Sequence, residues 1–272
     1  MIVPRLIYTK GYVMEQNVKK RKSGISARTL RLWGMVFVFA GIIGRGVIQA
    51  HMLGITGEST QNLLDILSTK PNAMTLTAFS IAMQAAETCA VPIFAMLLIE
   101  GMQNTSSFKD YFLRVVTLAV FCEIPFNMAL SAKLLDFKTR NPVFGIVICM
   151  FMLFLWRNYD IKSKKNALIK FLIAVVAILW CEMLKIDFGA AMVIIVAILW
   201  TFRKNTLFFN FAGAAAAMTC TLISPFFLAS PMGFLAVHSY NGDEDTNSHK
   251  YNYLLYPVLL IIGWAFGILL KS

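Results

Sequence analysis

Apolar residues run through this chain in long blocks separated by short polar gaps. A helix needs ~20 apolar residues, and at least about 17, to cross the hydrocarbon of a bilayer. The blocks predict helices over 30–50, 79–101, 111–131, 142–157, 166–185, 187–202, 206–222, 225–239 and 252–271. Two of these, 142–157 and 225–239, are short enough to predict a tilted, interfacial or re-entrant segment. Pro142, Pro225 and Pro257 open their runs, where a missing N–H costs little. Pro92, Pro125 and Pro231 lie inside runs, where they predict kinks whose freed carbonyls need partners in the bundle. The fold class that follows is all-α: a polytopic integral membrane bundle with eight or nine transmembrane or re-entrant helices.

Composition agrees. Of 272 residues, 58% are hydrophobic and 14% charged, against about 25% charged in soluble domains. Such a chain cannot clothe itself in a polar surface, and it is too apolar to stay disordered. Lysine and arginine number 25 against 14 acids, a net charge of +11. The basic residues sit in gaps between apolar runs. They form no basic face with stacking aromatics, so a nucleic-acid partner is excluded. Their role is topological, together with attraction to anionic lipid.

Residues 1–29 read as a basic cytoplasmic tail, with Lys19, Lys20, Arg21 and Lys22 before the first run, and 30–272 as a single membrane domain. With the N-terminus inside, the inner gaps hold Lys109, then Arg157, Lys162, Lys164 and Lys165, then Arg203 and Lys204. The outer gaps hold Lys70, then Lys133, Lys138 and Arg140, then Lys185. The inner count is larger, and the 131–141 loop is a mild exception. If 225–239 spans, the acidic run Asp243–Asp245 lies inside and the C-terminus outside; if it is re-entrant, the two exchange. The expected location is the plasma membrane, with the N-terminus on the cytoplasmic side.

An ionisable side chain at membrane depth costs at least ~2.5–3.5 kcal/mol on insertion scales and normally has a partner inside the bundle. Glu87, Glu100, Glu123, Glu182 and Asp187 lie in or at the apolar runs, with Arg45 and Arg114. Depth from the helix ends pairs Arg45 with Glu87 near the outer side and Glu100 with Arg114 near the inner side. These are either ion pairs that fix helix register or the walls of a polar cavity. Glu123 begins Glu123-Ile124-Pro125-Phe126-Asn127. A carboxylate, a proline kink and an amide one turn on make a polar niche able to bind a substrate, relay a proton or hold water.

The five cysteines all lie in apolar runs with no C-x-x-C pair, and read as small buried hydrophobes. His51, His238 and His249 stand at run ends and read as solvated interface residues. No zinc, nucleotide or nucleophile-elbow motif is present, and no metal site is expected.

Together these pieces resemble the TraX family. Val91-Pro92-Ile93-Phe94-Ala95-Met96-Leu97-Leu98-Ile99-Glu100-Gly101, followed by Thr105, Tyr111 and Arg114, is similar to the family's second membrane segment. Glu123-Ile-Pro-Phe-Asn127, Asn141-Pro142-Val143-Phe144, Asp187-Phe188-Gly189, Tyr240-Asn241-Gly242 and Tyr256-Pro257 follow in the family's order, over about residues 30–271. The family is named for a conjugation protein that N-acetylates pilin, and it is grouped with membrane-embedded acyltransferases. The resemblance implies acetyl-CoA as co-substrate, taken from the cytoplasm, and a protein, glycan or other envelope acceptor with an amine or hydroxyl.

The chain also departs from the family. Where the family's first helix carries Asp-His-Ile-Gly, this one has Gly41-Ile42-Ile43-Gly44, and no histidine follows Tyr256-Pro257. A proton acceptor of suitable pKa is needed for acyl transfer, so the resemblance leaves a carboxylate, Glu123 or Glu100, as catalytic base. Arg114, Asn127, Arg45, Glu87, Asn141 and Asp187 are then expected to bind substrate or donor. The alternative is a non-catalytic membrane binding or scaffold protein; a transporter is a third reading, disfavoured by the lack of an internal repeat.

Overall fold

A computed structural model describes residues 24–55, 66–68, 72–159, 163–203, 206–242 and 253–270. The basic tail through residue 23, the acidic run Asp243–Asp245, His249 and the loop lysines Lys70, Lys162 and Lys204 lie outside the described residues. The fold is an all-helical, polytopic bundle.

The chain crosses this bundle nine times among the described residues. Helix α1 (Ala27–Gly41) opens on Ser26, whose hydroxyl accepts from the Thr29 N–H, as an N-cap does. It widens into a π-helix over Ile42–Leu53. The second crossing breaks into α2 (Ala73–Glu87) and α3 (Ala90–Asn104). Pro92 cannot share a helix with the carbonyl four residues before it, and the break falls there, at Thr88 and Cys89. Next come α4 (Phe108–Ser131), α5 (Val143–Arg157), α6 (Lys164–Met183), α7 (Gly189–Phe202) and α8 (Thr206–Thr219). The eighth crossing is a 3-10 helix, Pro225–Met232, continued by α9 (Gly233–His238); α10 (Leu255–Leu269) is the last.

Four segments are long and apolar enough to cross a membrane: Ala27–Leu53, Ala73–Asn104, Phe108–Ser131 and Lys164–Met183. Five shorter apolar helices pack among them. Helix α7 is buried on most of its surface, whereas α6 buries only Ala177 and Cys181 and turns Phe171, Leu179 and Trp180 outward. A helix apolar all round belongs in a core or in lipid. Here α7 takes the first place and α6 the second.

The 225–239 segment does traverse the bundle. It starts beside the loops at the far end, where Phe227 and Lys185 line one cavity. It ends at the N-side, where the Ile25 N–H donates to the Ser239 carbonyl at 2.8 Å and the Asn241 N–H to the Ile25 carbonyl at 3.0 Å. Helix α10 then runs back, so that Gly267 lies against His51 at the far end. His51, expected at an interface, is buried there, its Nδ1 2.9 Å from the Gly46 carbonyl oxygen. All five cysteines are buried free thiols.

Candidate functional site

Three ionisable side chains from three distant stretches meet inside the far half of the bundle. Arg45 lies in the π-helix, one turn past Gly41. Its Nη2 donates to Glu87 Oε1 at 2.7 Å and its Nη1 to Asp187 Oδ2 at 2.5 Å. The guanidinium also stacks over the Phe188 ring, 5.2 Å from its centroid. One cation thus serves two carboxylates, in surroundings where a lone charge would be expensive.

The local sequence explains how they meet. Gly41 has no Cβ, and the Glu87 carboxylate packs into the space a Cβ would fill. Glu87 is the last residue of α2 before the Pro92 break. Asp187 sits in the tight turn between α6 and α7, where Lys185 and Phe188 both hold positive φ, 53° and 55°. Non-glycine residues rarely adopt this left-handed region, and two so close fold the turn back so that Asp187 points into the bundle.

Two cavities meet at this centre. The first, about 230 Å³, runs from Arg31, Tyr111 and Tyr253 at the N-side to Arg45, Glu87 and Asp187. Between those ends its wall is mostly apolar, with Val38, Phe94, Leu98 and Val115 among the side chains, and Tyr256 beside the centre. The second, about 390 Å³, lies toward the far end and adds Gln84, Thr139, Glu182, Lys185 and Ser224. Arg45, Glu87, Asp187 and Phe188 line both. Asp187 is the more open carboxylate, its side chain 14% exposed against 6% for Glu87. Arg45 Nε and Glu87 Oε2 are buried with no hydrogen-bond partner among the described residues.

Glu123 occupies a different place. Its Oε1 accepts from Arg140 Nη1 at 3.1 Å, and its Oε2 from the Asn141 side-chain amide at 2.6 Å and backbone N–H at 3.3 Å. The same Asn141 amide donates to the Ala119 carbonyl, and its Oδ1 accepts from the Val143 N–H. This clasp ties the 132–142 loop to α4 and lines neither cavity. It nevertheless reaches the centre through backbone: the Arg140 N–H donates to the Lys185 carbonyl at 2.8 Å, and the Asp187 N–H to the Arg140 carbonyl at 3.0 Å.

The remaining expected residues are scattered. Glu100 accepts from the Tyr240 hydroxyl at the N-side, and Arg114 lies on the exposed face of α4. Asn127 is 1% exposed, and neither its amide nitrogen nor its oxygen has a partner among the described residues. Arg45 and Glu87 pair as their depths predict. Phe188, Tyr256 and Lys185 carried no composition or spacing signal as cavity residues. Only the Asp187-Phe188-Gly189 and Tyr256-Pro257 motifs pointed at their neighbourhoods. No group of metal-ligating side chains occurs among the described residues.

The family model described as TraX protein matches residues 61–266, about three quarters of the chain. No curated protein and no solved structure matches. The match takes in Glu87 and Asp187 and begins after Arg45. With the motifs in order and an all-helical membrane bundle beneath them, this chain belongs to the TraX family.

Proposed function

We propose that this chain is a membrane-embedded acyltransferase that carries an acyl group from acetyl-CoA to an amine or hydroxyl of an acceptor. One observation supports this most: a paired-charge centre that two cavities reach from opposite ends of the bundle. The fourteen steps from Arg31 to Arg45 rise roughly 20 Å at about 1.5 Å each. The first cavity is therefore long, with a cation and two phenols at its mouth. That shape suits a donor whose phosphates stay outside while a thin arm carries the thioester to the centre. With the N-side cytoplasmic, as the basic residues argue, this mouth faces the donor's compartment.

At the centre the acceptor attacks the thioester carbon. A bond to the acceptor oxygen or nitrogen forms, the carbon–sulfur bond breaks, and the acceptor's proton passes to Asp187, then to the departing thiolate. Asp187 takes the role that Glu123 and Glu100 were expected to fill, because it lines both cavities. Arg45 holds Asp187 and Glu87 in place, and its unpartnered Nε–H is a donor beside the reacting carbonyl, where negative charge develops.

The second reading, a non-catalytic binding protein, draws on one fact: both carboxylates already share Arg45. One experiment separates the two. The purified full-length chain in nanodiscs is given labelled acetyl-CoA, with and without a primary amine. Acyl transfer predicts labelled amide, and a raised KM for acetyl-CoA with Arg31→Ala. Binding of CoA with no label transferred to any amine or alcohol favours the second reading. Absence of binding overturns the acyltransferase.

A further inference from the structure

The 131–141 loop runs against the charge rule, since its three basic residues stand at the far end of the bundle. Arg140 is used by the clasp. Lys133 and Lys138 flank Leu134, Leu135 and Phe137, which are 67%, 62% and 66% exposed. The neighbouring helix ends are similar: Met183 and Leu184 close α6, and Leu222 precedes the 3-10 helix, all exposed. This apolar rim continues the outward faces of α4 and α6, where Phe121 and Trp180 stand. Lysines interleaved with large apolar side chains just past the helix ends belong in the headgroup layer of a bilayer. Thr139, Lys185 and Ile223 connect this rim to the second cavity.

The charges inside that cavity are ordered. Lys185 and Glu182 stand at the exposed mouth, and Asp187, Glu87 and Arg45 stand deeper, one cation against two carboxylates. The inner excess of carboxylate calls for a cation, and Lys185 at the mouth offers a partner to an anion carried on the same ligand. We propose that the second cavity seats the headgroup of an aminophospholipid from the surrounding leaflet, its phosphate beside Lys185 and its primary amine at Asp187. The site is a binding site in its own right, and it names the acceptor if the acyl-transfer reading holds. In that case the ammonium gives one proton to Asp187, the freed amine attacks the thioester carbon, and the C–N bond forms as the C–S bond breaks. The second amine proton goes to the thiolate. Asp187 returns its proton to water, so the products are an amide, free CoA thiol and one proton.

The test uses the full-length chain in detergent with short-chain dihexanoyl lipids. Phosphatidylethanolamine should raise Tm, and phosphatidylcholine, whose quaternary amine donates no N–H, should not. Phosphatidylglycerol, with the phosphate and hydroxyls but no cation, should bind more weakly than phosphatidylethanolamine. Lys185→Ala, an exposed change that leaves the fold intact, should weaken phosphatidylethanolamine about tenfold, the value of one charge-assisted bond. Equal binding of the three lipids, or no effect of Lys185→Ala, overturns the proposal. Adding labelled acetyl-CoA separates the two readings. Lipid binding with no label reaching the lipid or any added amine or alcohol keeps the site and sinks acyl transfer. Acylation of soluble amines with indifference to phosphatidylethanolamine does the reverse.

Discussion

The Arg45 centre and the Glu123 clasp are both ion-paired, both near the far end of the bundle and both built from residues distant in sequence. They differ in access. Glu123 spends both oxygens on Arg140 and Asn141 and faces no cavity. The Arg45 centre stands where two cavities meet, with a donor and an acceptor atom left over. Burying a charge in a membrane demands a partner in either case. Pairing therefore says little about function, whereas an opening beside the pair says a great deal. The clasp has its own use: through the backbone of Arg140 it holds the turn that carries Asp187.

The largest effect that would break this contrast is at Arg45. Arg45→Ala leaves Glu87 and Asp187 facing each other without a cation, and removing one partner of a buried pair costs about 3–5 kcal/mol. A large fall in Tm and loss of turnover are expected; a variant as stable as the wild type would mean that the carboxylates do not need the cation. Gly41→Ala comes next, since its methyl would displace the Glu87 carboxylate. It should lower Tm by less than Arg45→Ala and still abolish turnover, and unchanged turnover would remove Glu87 from the centre. Glu123→Gln keeps the shape of the clasp but weakens its charged bonds, at about 1–3 kcal/mol. It should lower Tm and reduce turnover less than tenfold. The smallest effect is at exposed Arg114, where Arg114→Ala should stay within about 0.5 kcal/mol of wild type, with unchanged turnover.

The nine helical runs were legible because apolar blocks and loop prolines mark them, but the shortness of 142–157 and 225–239 left open whether those two cross. The break in the second crossing was legible only in part: Pro92 signalled a kink, but not that α2 begins at Ala73, ahead of the apolar run. The π-helical turn of Ile42–Leu53 left no periodic signal, because apolar residues and glycines occupy nearly every position there. Arg45 and Glu87 could be paired from their depths, since both sit on helices of known direction. Asp187 could not be joined to them by periodicity, being 142 residues from Arg45 in a turn. The Glu123 niche was read from its own helix face, which points to Asn127. Its partners instead come from a loop that folds back 17 and 18 residues later, and helical spacing carries no information about such a return.

Asp187 is the proposed site of the chemistry, and Glu123 supports it from outside the cavities. Labelled acetyl transfer by Asp187→Asn and Glu123→Gln, measured side by side in nanodiscs with Tm recorded for each, tests this assignment most directly. Asp187→Asn is expected to lose turnover altogether, while Glu123→Gln keeps at least about a tenth of it, each at a lowered Tm because each weakens a buried charged bond. An inactive Glu123→Gln beside an active Asp187→Asn would contradict the assignment.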